Sequence, residues 1–159
     1  MTTWTVWRTV EIGTCQDAIS MKDAIGVAGM FISRWAEDIL RKVSFARTKQ
    51  TLDLVILTPE ELGFPVGGTL KLSEIFDVAK EQGLSLCPAE VGSQLRLQYK
   101  DQPRGEWNFV AMEPILDSDG DPRLFYVGHG GAGRWLYGYF AGSDGGWGGF
   151  LRFVFVLGK

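Results

Sequence analysis

The sequence lacks a strong charge of either sign and any long apolar run. Sixteen lysines and arginines stand against 19 aspartates and glutamates, which gives a formal net charge of −3 at pH 7. This balance argues against a surface built throughout for nucleic acid. No run of about 18 apolar residues occurs, and the N-terminal MTTWTVWRTVEIG has no basic segment followed by an apolar one. We therefore expect a cytoplasmic, soluble protein with no membrane association.

Cysteine and histidine are scarce. The two cysteines are Cys15 and Cys87, and His129 is the only histidine. These residues make neither a zinc-ligand pattern nor a disulfide framework. A nucleophilic Cys87–His129 pair is a hypothesis that rests only on the presence of these two residue types. A cysteine that ends a strand before a proline is more typical of a small buried hydrophobic residue. P-loop, G-x-G-x-x-G, H-E-x-x-H and G-x-S-x-G motifs are missing too, which disfavours a nucleotide-dependent enzyme.

The chain of 159 residues fits one domain, 1–159, with enough apolar content for a core. Apolar periodicity predicts helices within 17–43 and over about 69–82, and strands over 4–12 and 52–57. From Trp107 onward it predicts strands over 106–116, 123–129, 133–142 and 150–157. This order predicts an α+β fold with a β-rich C-terminal half. The helices are expected to pack on one face of a mostly antiparallel sheet.

The block CPAEVGSQLRLQYKDQPRGEW, 87–107, mixes polar and apolar residues with a period of two. Leu95, Leu97 and Tyr99 alternate with polar residues, which predicts a strand over 94–100 with one polar face. That face is a candidate binding strip of Gln94, Arg96, Gln98 and Lys100, followed by Arg104. The alternative, which the pattern favours, is a connection between the helical half and the sheet that shows its charges to water.

Five segments of the chain resemble a group of small uncharacterised bacterial and metagenomic proteins. They are ISRWAEDILRK, LDLVILTPEELGF, GLSLCPAEVGSQLRLQYKDQPRGEW, AMEPILDSDGDP and RFVFV, and they are distributed over most of the chain, between Ile32 and Val156. The CPAEVG to KDQP part is the most specific. The resemblance implies a bacterial soluble domain, and it carries no catalytic residue over to this sequence.

Glycines and aromatic residues are interleaved near the C-terminus, where ten of the 21 glycines lie between Gly128 and Gly149. A glycine beside a large ring lets the ring lie over the backbone of a twisted sheet. The aromatic residues are either the core of the sheet or a platform for a sugar or another small ligand. The candidate ligand-binding residues here are Trp135, Tyr137, Tyr139 and Trp147.

The segment DSDGDP offers carboxylates at alternating positions. Asp117, Asp119 and Asp121, with Glu113 upstream, resemble part of a calcium loop. Gly120 stands too early for the full motif and no glutamate follows at the required distance, so a turn is favoured over a metal site. The alternative is a hydrolase, for instance on carbohydrate, that uses carboxylates around Glu113 to Asp121. Glu90, Glu106 and Glu113 with Asp119 could supply its pair of acids.

The pattern of residues 24–39 resembles a helix-turn-helix, with a glycine at the turn and a serine at the start of the next helix. A basic edge follows, formed by Arg34, Arg41, Lys42, Arg47 and Lys49. Glu37 and Asp38 in the second helix would repel phosphates, so two helices packed on a sheet explain the pattern better.

We predict a small non-catalytic binding domain for a protein partner or a small ligand, with nucleic acid disfavoured. No cofactor is expected, and calcium is considered only for the DSDGDP segment. The alternatives are the hydrolase and the nucleic-acid binder described above, and the sequence leans against an enzyme without excluding one.

Overall fold

The computed structural model describes residues 3–142 and 146–158. Its helices are α1 (Ala18–Val27), α2 (Arg34–Leu40), α3 (Leu72–Glu81) and α4 (Glu90–Gln98). Its strands are β1 (Arg8–Ile12), β2 (Phe31–Ile32), β3 (Gln50–Leu57), β4 (Thr69–Leu70), β5 (Leu84–Ser85), β6 (Trp107–Val110), β7 (Ile115–Leu116), β8 (Pro122–Gly130), β9 (Gly133–Phe140), β10 (Trp147–Gly148) and β11 (Arg152–Leu157). The predicted α+β class and the β-rich C-terminal half are confirmed.

One large sheet runs in the order β1-β3-β11-β6-β8-β9-β2, with β5 added beside β11 and β7 beside β8. Most neighbours are antiparallel, but β11 pairs in parallel with β6 and β2 pairs in parallel with β9. The sheet is therefore mixed, and the predicted antiparallel arrangement holds only in part. The C-terminal strand β11 lies between the antiparallel pair of β1 and β3 and the strands of the second half, so it joins the two halves of the chain.

The helices lie on both faces of this sheet. Helix α4 packs on Phe125 of β8 through Gly92, and α2 packs on Gly138, the cross-strand partner of Phe125. Helix α3 lies on the opposite face, where Phe76 meets Phe153 and Phe155 edge to face. The prediction that all helices share one face thus holds for α2 and α4 but not for α3.

Local signals account for the boundaries of the first two helices. The side chain of Ser33 accepts a hydrogen bond from the backbone N–H of Ala36, as predicted for the start of α2. Helix α1 begins after Asp17, whose carboxylate accepts from the backbone N–H of Ser20. Within residues 3–142 and 146–158, none of the helices has both the length and the apolar character needed to cross a bilayer.

Two predicted strands differ from the structure. The segment 106–116 splits into β6 and β7, and Pro114 between them has no N–H to donate to a ladder. The predicted strand over 94–100 is wrong, because these residues belong mostly to helix α4. The helix is buried on nearly every side, so its polar residues are buried as well and the apolar periodicity is lost.

Helix α4 closes one edge of the sheet at β1. The side-chain amide of Gln98 donates to the carbonyl of Glu11 at 2.8 Å and accepts from the N–H of Glu11 at 3.0 Å. The amide therefore takes the place of a neighbouring strand. An edge protected in this way cannot recruit another chain through the same backbone groups.

We expect Gln98→Ala to lower the free energy of unfolding by about 1–3 kcal/mol, because both backbone groups of Glu11 lose their partner. Urea unfolding measures the change. The control is Lys100→Ala, an exposed residue of the same block, which we expect to change it by less than about 0.5 kcal/mol. Equal effects of the two substitutions would contradict the edge-closing role.

Candidate functional site

One face of the sheet carries a concentration of aromatic side chains, which we call the aromatic face. Alternation along the strands directs every second residue of β6, β8 and β9 to this face. Cross-strand register aligns Trp107, Gly128 and Trp135 in one row, and Phe109, Tyr126 and Tyr137 in the next. Phe31 of β2 extends the first row, since it pairs with Trp135.

Part of the aromatic face belongs to the core. Trp147 is only 3% exposed and packs on Phe109, Tyr139 and Phe153. The predicted ligand-binding role of Trp147 therefore has no accessible surface to act through. Helix α3 covers the neighbouring rings of β11. The open part of the face lies over β6, β8, β9 and β2.

Trp107 lies flat on the sheet in this open part. A Cβ atom built on Gly128 would meet the six-membered ring of Trp107 at 2.0 Å, and one built on Gly130 would meet it at 3.2 Å. Only glycine at 128 allows the indole to rest directly on the backbone. The side chain is nonetheless 40% exposed, so the ring face that points away from the sheet is open to solvent.

Three further rings continue from Trp107 along the surface. Ring centroids are 6.1 Å apart from Trp107 to Tyr137, 5.7 Å from Tyr137 to Trp135 and 5.0 Å from Trp135 to Phe31. We call these four side chains the ring row. Trp135 and Tyr137 are nearly parallel, at 15°, which is the offset stacking that aromatic pairs prefer. Two of the predicted binding residues, Trp135 and Tyr137, are thus brought together.

Phenol hydroxyls stand beside the ring row. The described residues supply no hydrogen-bond partner to the hydroxyls of Tyr126, Tyr137 or Tyr139. Burial, and then the neighbouring phenols, raise the pKa of Tyr126, and burial raises the pKa of Tyr137. Both groups are therefore neutral phenols at physiological pH, and each can donate and accept a hydrogen bond.

The arginines and the histidine of these strands point to the opposite face. Arg123 and His129 alternate with Leu124, Tyr126 and Gly128, and Arg134 is the cross-strand partner of His129. On the described parts of β6, β8, β9 and β2, every residue directed to the aromatic face is uncharged. The open surface is therefore apolar and hydroxyl-bearing, with no net charge of its own.

Arg96 is not part of a surface strip. Its side chain is 0% exposed and lies beneath the first row of the aromatic face, on the other side of the sheet. It donates to the carbonyls of Gly128, Trp135 and Tyr99 and to the side chain of Gln102, at 2.7–3.3 Å. Arg96 holds β8 to β9 where the ring row rests. The predicted binding strip is therefore wrong for Arg96.

The remaining strip residues do not form a common surface either. Gln98 is used at the edge of β1, and Lys100 and Arg104 are exposed. Gln102, between them, is fully buried and donates to the carbonyls of Glu106 and Val127. The polar residues of the 87–107 block mainly organise backbone, and many of them are buried, whereas the connection that the sequence favoured was expected to show its charges to water.

Glu90 is the most connected residue of this block. Its carboxylate is buried and accepts from the backbone N–H of Gly13 at 2.7 Å, from that of Ala46 at 2.8 Å and from the side chain of Gln94 at 3.1 Å. Gln94 also donates to Thr14. Glu90, Gln94 and Gln98 follow at steps of four residues, a helical spacing that could have revealed α4 in the sequence.

The DSDGDP segment is a turn held by its first carboxylate. Asp117 accepts from the backbone N–H groups of Asp119 and Asp121 and from the side chain of Arg123 at 2.6 Å. Asp119 and Asp121 are exposed. The described residues contain no group of three or more His, Cys, Asp or Glu side chains placed to hold a metal ion.

Asp117 gives this turn a pH dependence. Burial alone raises its pKa, but hydrogen bonds from Arg123, Asp121 and Asp119 outweigh burial, and the pKa lies below its ordinary value. A carboxyl group with a lowered pKa in the folded state stabilises the protein above its unfolded pKa, and this contribution is lost as the pH falls through the folded pKa.

We expect Asp117→Asn to unfold at lower urea concentration than the parent at pH 7, with the difference shrinking as the pH falls below about 4. Urea unfolding series between neutral and acidic pH measure it. Asp119→Asn, an exposed carboxylate of the same turn, should leave the pH profile unchanged. A difference for Asp117→Asn that stays constant with pH would contradict this role.

Glu113 borders a different part of the surface from the carboxylates of the turn. It lines a surface cavity of about 430 Å³ that is also bordered by Asp77 and Lys80 of α3. Asp117 is not among the residues that line this cavity. The structure therefore does not gather the four predicted metal or acid residues, Glu113, Asp117, Asp119 and Asp121, around one point.

Cys87 and His129 have separate surroundings. Cys87 is buried, its thiol lies 3.3 Å from the carbonyl oxygen of Val154, and burial raises its pKa, which disfavours the reactive thiolate. His129 Nδ1 lies 2.7 Å from the carbonyl oxygen of Gln102, which makes this nitrogen the donor. Neither contact brings the two side chains toward each other, and the Cys–His hypothesis gains no support.

Comparisons of the chain with protein-family models, with curated proteins and with solved structures found no match. Function is therefore inferred here from the arrangement of side chains on the aromatic face.

Proposed function

We propose that the protein is a non-catalytic binding domain whose ligand docks on the ring row. The observation that carries the proposal is the indole of Trp107, seated on Gly128 and open to solvent on its outer side. Burying such a ring in the core would contribute about 1.5–3 kcal/mol, so leaving it exposed forgoes stability. Contiguous exposed apolar surface of this kind marks interaction sites.

Rigidity also supports a binding role. The indole of Trp107 rests on the backbone at Gly128. On the other side of the sheet, Arg96 donates hydrogen bonds to carbonyls of β8 and β9. Trp135, Tyr137 and Phe31 support each other by stacking. A surface that is ordered before it meets its ligand loses less conformational entropy on binding.

The hydrolase alternative has less support. Asp117 is engaged by Arg123 and two backbone N–H groups, so it is not free to act as an acid or base. Glu113 and Asp77 border one cavity and are the pair that remains for this alternative. A glycosidase needs two carboxylates at a set separation across the scissile bond, in roles that hydrogen-bonded structural acids do not fill.

The nucleic-acid alternative is likewise disfavoured. In the predicted basic edge, Arg41 lies 3.8 Å from Glu37, Lys42 donates to the carbonyl of Leu116, and Lys49 lies 3.6 Å from Glu11. Lys22 pairs with Glu37 as well. The cations are interleaved with acids, which weakens attraction to a phosphate backbone.

Fluorine NMR on protein containing 5-fluorotryptophan tests the binding proposal. The panel comprises neutral oligosaccharides, a proline-rich peptide, single-stranded RNA and calcium. We expect one class to shift the resonances of Trp107 and Trp135 while buried Trp147 stays unchanged. Trp107→Ala should weaken that binding about tenfold or more, as loss of a central aromatic contact does. Saturable binding that leaves Trp107 and Trp135 unmoved would overturn the proposal.

A further inference from the structure

The shape of the ring row limits what it can hold. Trp107 presents one broad ring face parallel to the sheet, because its other face rests on Gly128 and Gly130. A ligand that gains from this geometry must offer a flat apolar surface of its own. A pyranose sugar does so, since one side of its ring exposes mainly C–H groups, while a nucleobase and a proline ring do so as well.

The stacking of the rings next to Trp107 distinguishes between a sugar, a nucleobase and a proline ring as ligands. Trp135 and Tyr137 are 5.7 Å apart at 15°, and Tyr137 and Tyr126 are 4.7 Å apart at 17°. The rings already occupy each other's faces, so no slot is left into which a base or a proline could insert. Proline-rich segments dock in grooves between aromatic side chains, which this arrangement does not provide.

Charge excludes a second set of ligands. Proteins that hold single-stranded nucleic acid combine stacking rings with a positively charged groove along the backbone. The residues that β6, β8, β9 and β2 direct to this face are uncharged. Phosphate, uronate and sulfate groups would therefore find no cation among them, and a neutral ligand is favoured.

The phenol hydroxyls of three tyrosines also fit a sugar as the ligand. Tyr126, Tyr137 and Tyr139 pack on one another, and their hydroxyls have no partner among the described residues. Each serves as donor and acceptor, as the hydroxyls around a sugar ring do. Four rings in succession, with steps of 5.0–6.1 Å, make a surface for several linked sugars.

We infer that the ring row binds an uncharged oligosaccharide chain, with one sugar ring stacked on Trp107 and the chain following Tyr137, Trp135 and Phe31. This inference rests on the proposed binding function and assigns the chemical class of its ligand. One sugar covers the open face of Trp107, the following sugars lie along the edges of the stacked rings, and sugar hydroxyls bond to the phenols of the tyrosines.

Calorimetric titration of the whole protein tests the inference, with cellohexaose, xylohexaose, laminarihexaose and mannohexaose as probes. We expect at least one hexasaccharide to bind, about tenfold or more tightly than its disaccharide. The affinity should change little between 50 and 500 mM salt, because no ionic contacts form. Polygalacturonate, single-stranded RNA and a proline-rich peptide should not compete.

Three variants locate the site. Trp107→Ala should lose about tenfold or more in affinity, and Gly128→Ala should lose a similar factor although no ring atom is removed, because its methyl group displaces the indole. Phe150→Ala is the matched control. Phe150 is another exposed ring on a glycine, 74% exposed over Gly148 and outside the ring row, so its loss should leave affinity unchanged. An unchanged fluorine resonance of Trp147 confirms that each variant is folded.

The outcomes are distinct. Hexasaccharide binding that is lost in Trp107→Ala and kept in Phe150→Ala supports the inference. If no neutral hexasaccharide binds but RNA or the proline-rich peptide moves Trp107, the inference is overturned and the proposed binding function stands. If no probe of any class moves Trp107, both are overturned. Binding that survives Trp107→Ala also overturns the inference.

Discussion

Arg96→Leu is expected to lower the free energy of unfolding by about 4 kcal/mol. The guanidinium satisfies the carbonyls of Gly128, Trp135 and Tyr99 inside the protein. Leucine leaves these acceptors without a partner, each at a cost of about 1–3 kcal/mol, and relief from burying a charge offsets only part of the loss. Urea unfolding measures the change, and a loss under about 1 kcal/mol would contradict it.

Two further substitutions make this result specific. Lysine cannot reproduce the planar fork that reaches several carbonyls, so Arg96→Lys should also be strongly destabilised. Arg104→Leu is the matched control, because Arg104 is an exposed arginine of the same block, and its loss should cost less than about 0.5 kcal/mol. Burial, and then the charge of Arg134, lower the pKa of Arg96 to about 10, so the guanidinium is still protonated at neutral pH.

Glu90→Ala is expected to cost about 3–5 kcal/mol. Its carboxylate accepts from the backbone N–H groups of Gly13 and Ala46, and joins the loop after β1 to the segment before β3. Alanine leaves both donors unpaired and a void where the side chain was. Gly13 also packs closely on the backbone of Thr48, since a Cβ at this position would lie 2.1 Å from the carbonyl oxygen of Thr48.

Hydrogen exchange gives this prediction a local readout. The amides of Gly13 and Ala46 should lose protection in Glu90→Ala before the strands of the sheet do. Glu90→Gln should fall between the parent and Glu90→Ala, because its carbonyl still accepts while its NH2 group faces a donor. Glu81→Ala, an exposed glutamate, is the control and should leave stability unchanged. Unaltered protection of both amides would refute the proposed connection.

Sequence patterns anticipated the positions of several elements. Helix α3 and the long strands β3, β8, β9 and β11 all lie where the sequence predicted a helix or a strand. The expectation that glycines let rings lie on the backbone is confirmed by Trp107 over Gly128. Periodicity failed for α4, because a helix buried on nearly all sides buries polar and apolar residues alike. Its polar residues are satisfied by backbone groups more than 70 positions away, such as Gly13 and Glu11.

The composition of the aromatic face was predicted in part. Trp135, Tyr137 and Tyr139 were candidates because they alternate on one strand, and they do share the aromatic face. Trp107 and Phe31 were missed, since they reach the same surface from β6 and β2, far away in the chain. Arg96 and Trp147 were assigned to the surface because residue type alone does not reveal burial.

The sequence by itself determined the α+β class, the β-rich C-terminal half and the places where glycine and aromatic residues alternate, since these depend on local periodicity and composition. Tertiary structure decided which of those rings are open, because burial depends on what packs over each strand. It set α3 over one end of the aromatic face and left Trp107 uncovered at the other. It also turned the polar 87–107 block inward, where Arg96 and Glu90 bond to backbone that only the folded chain brings within reach.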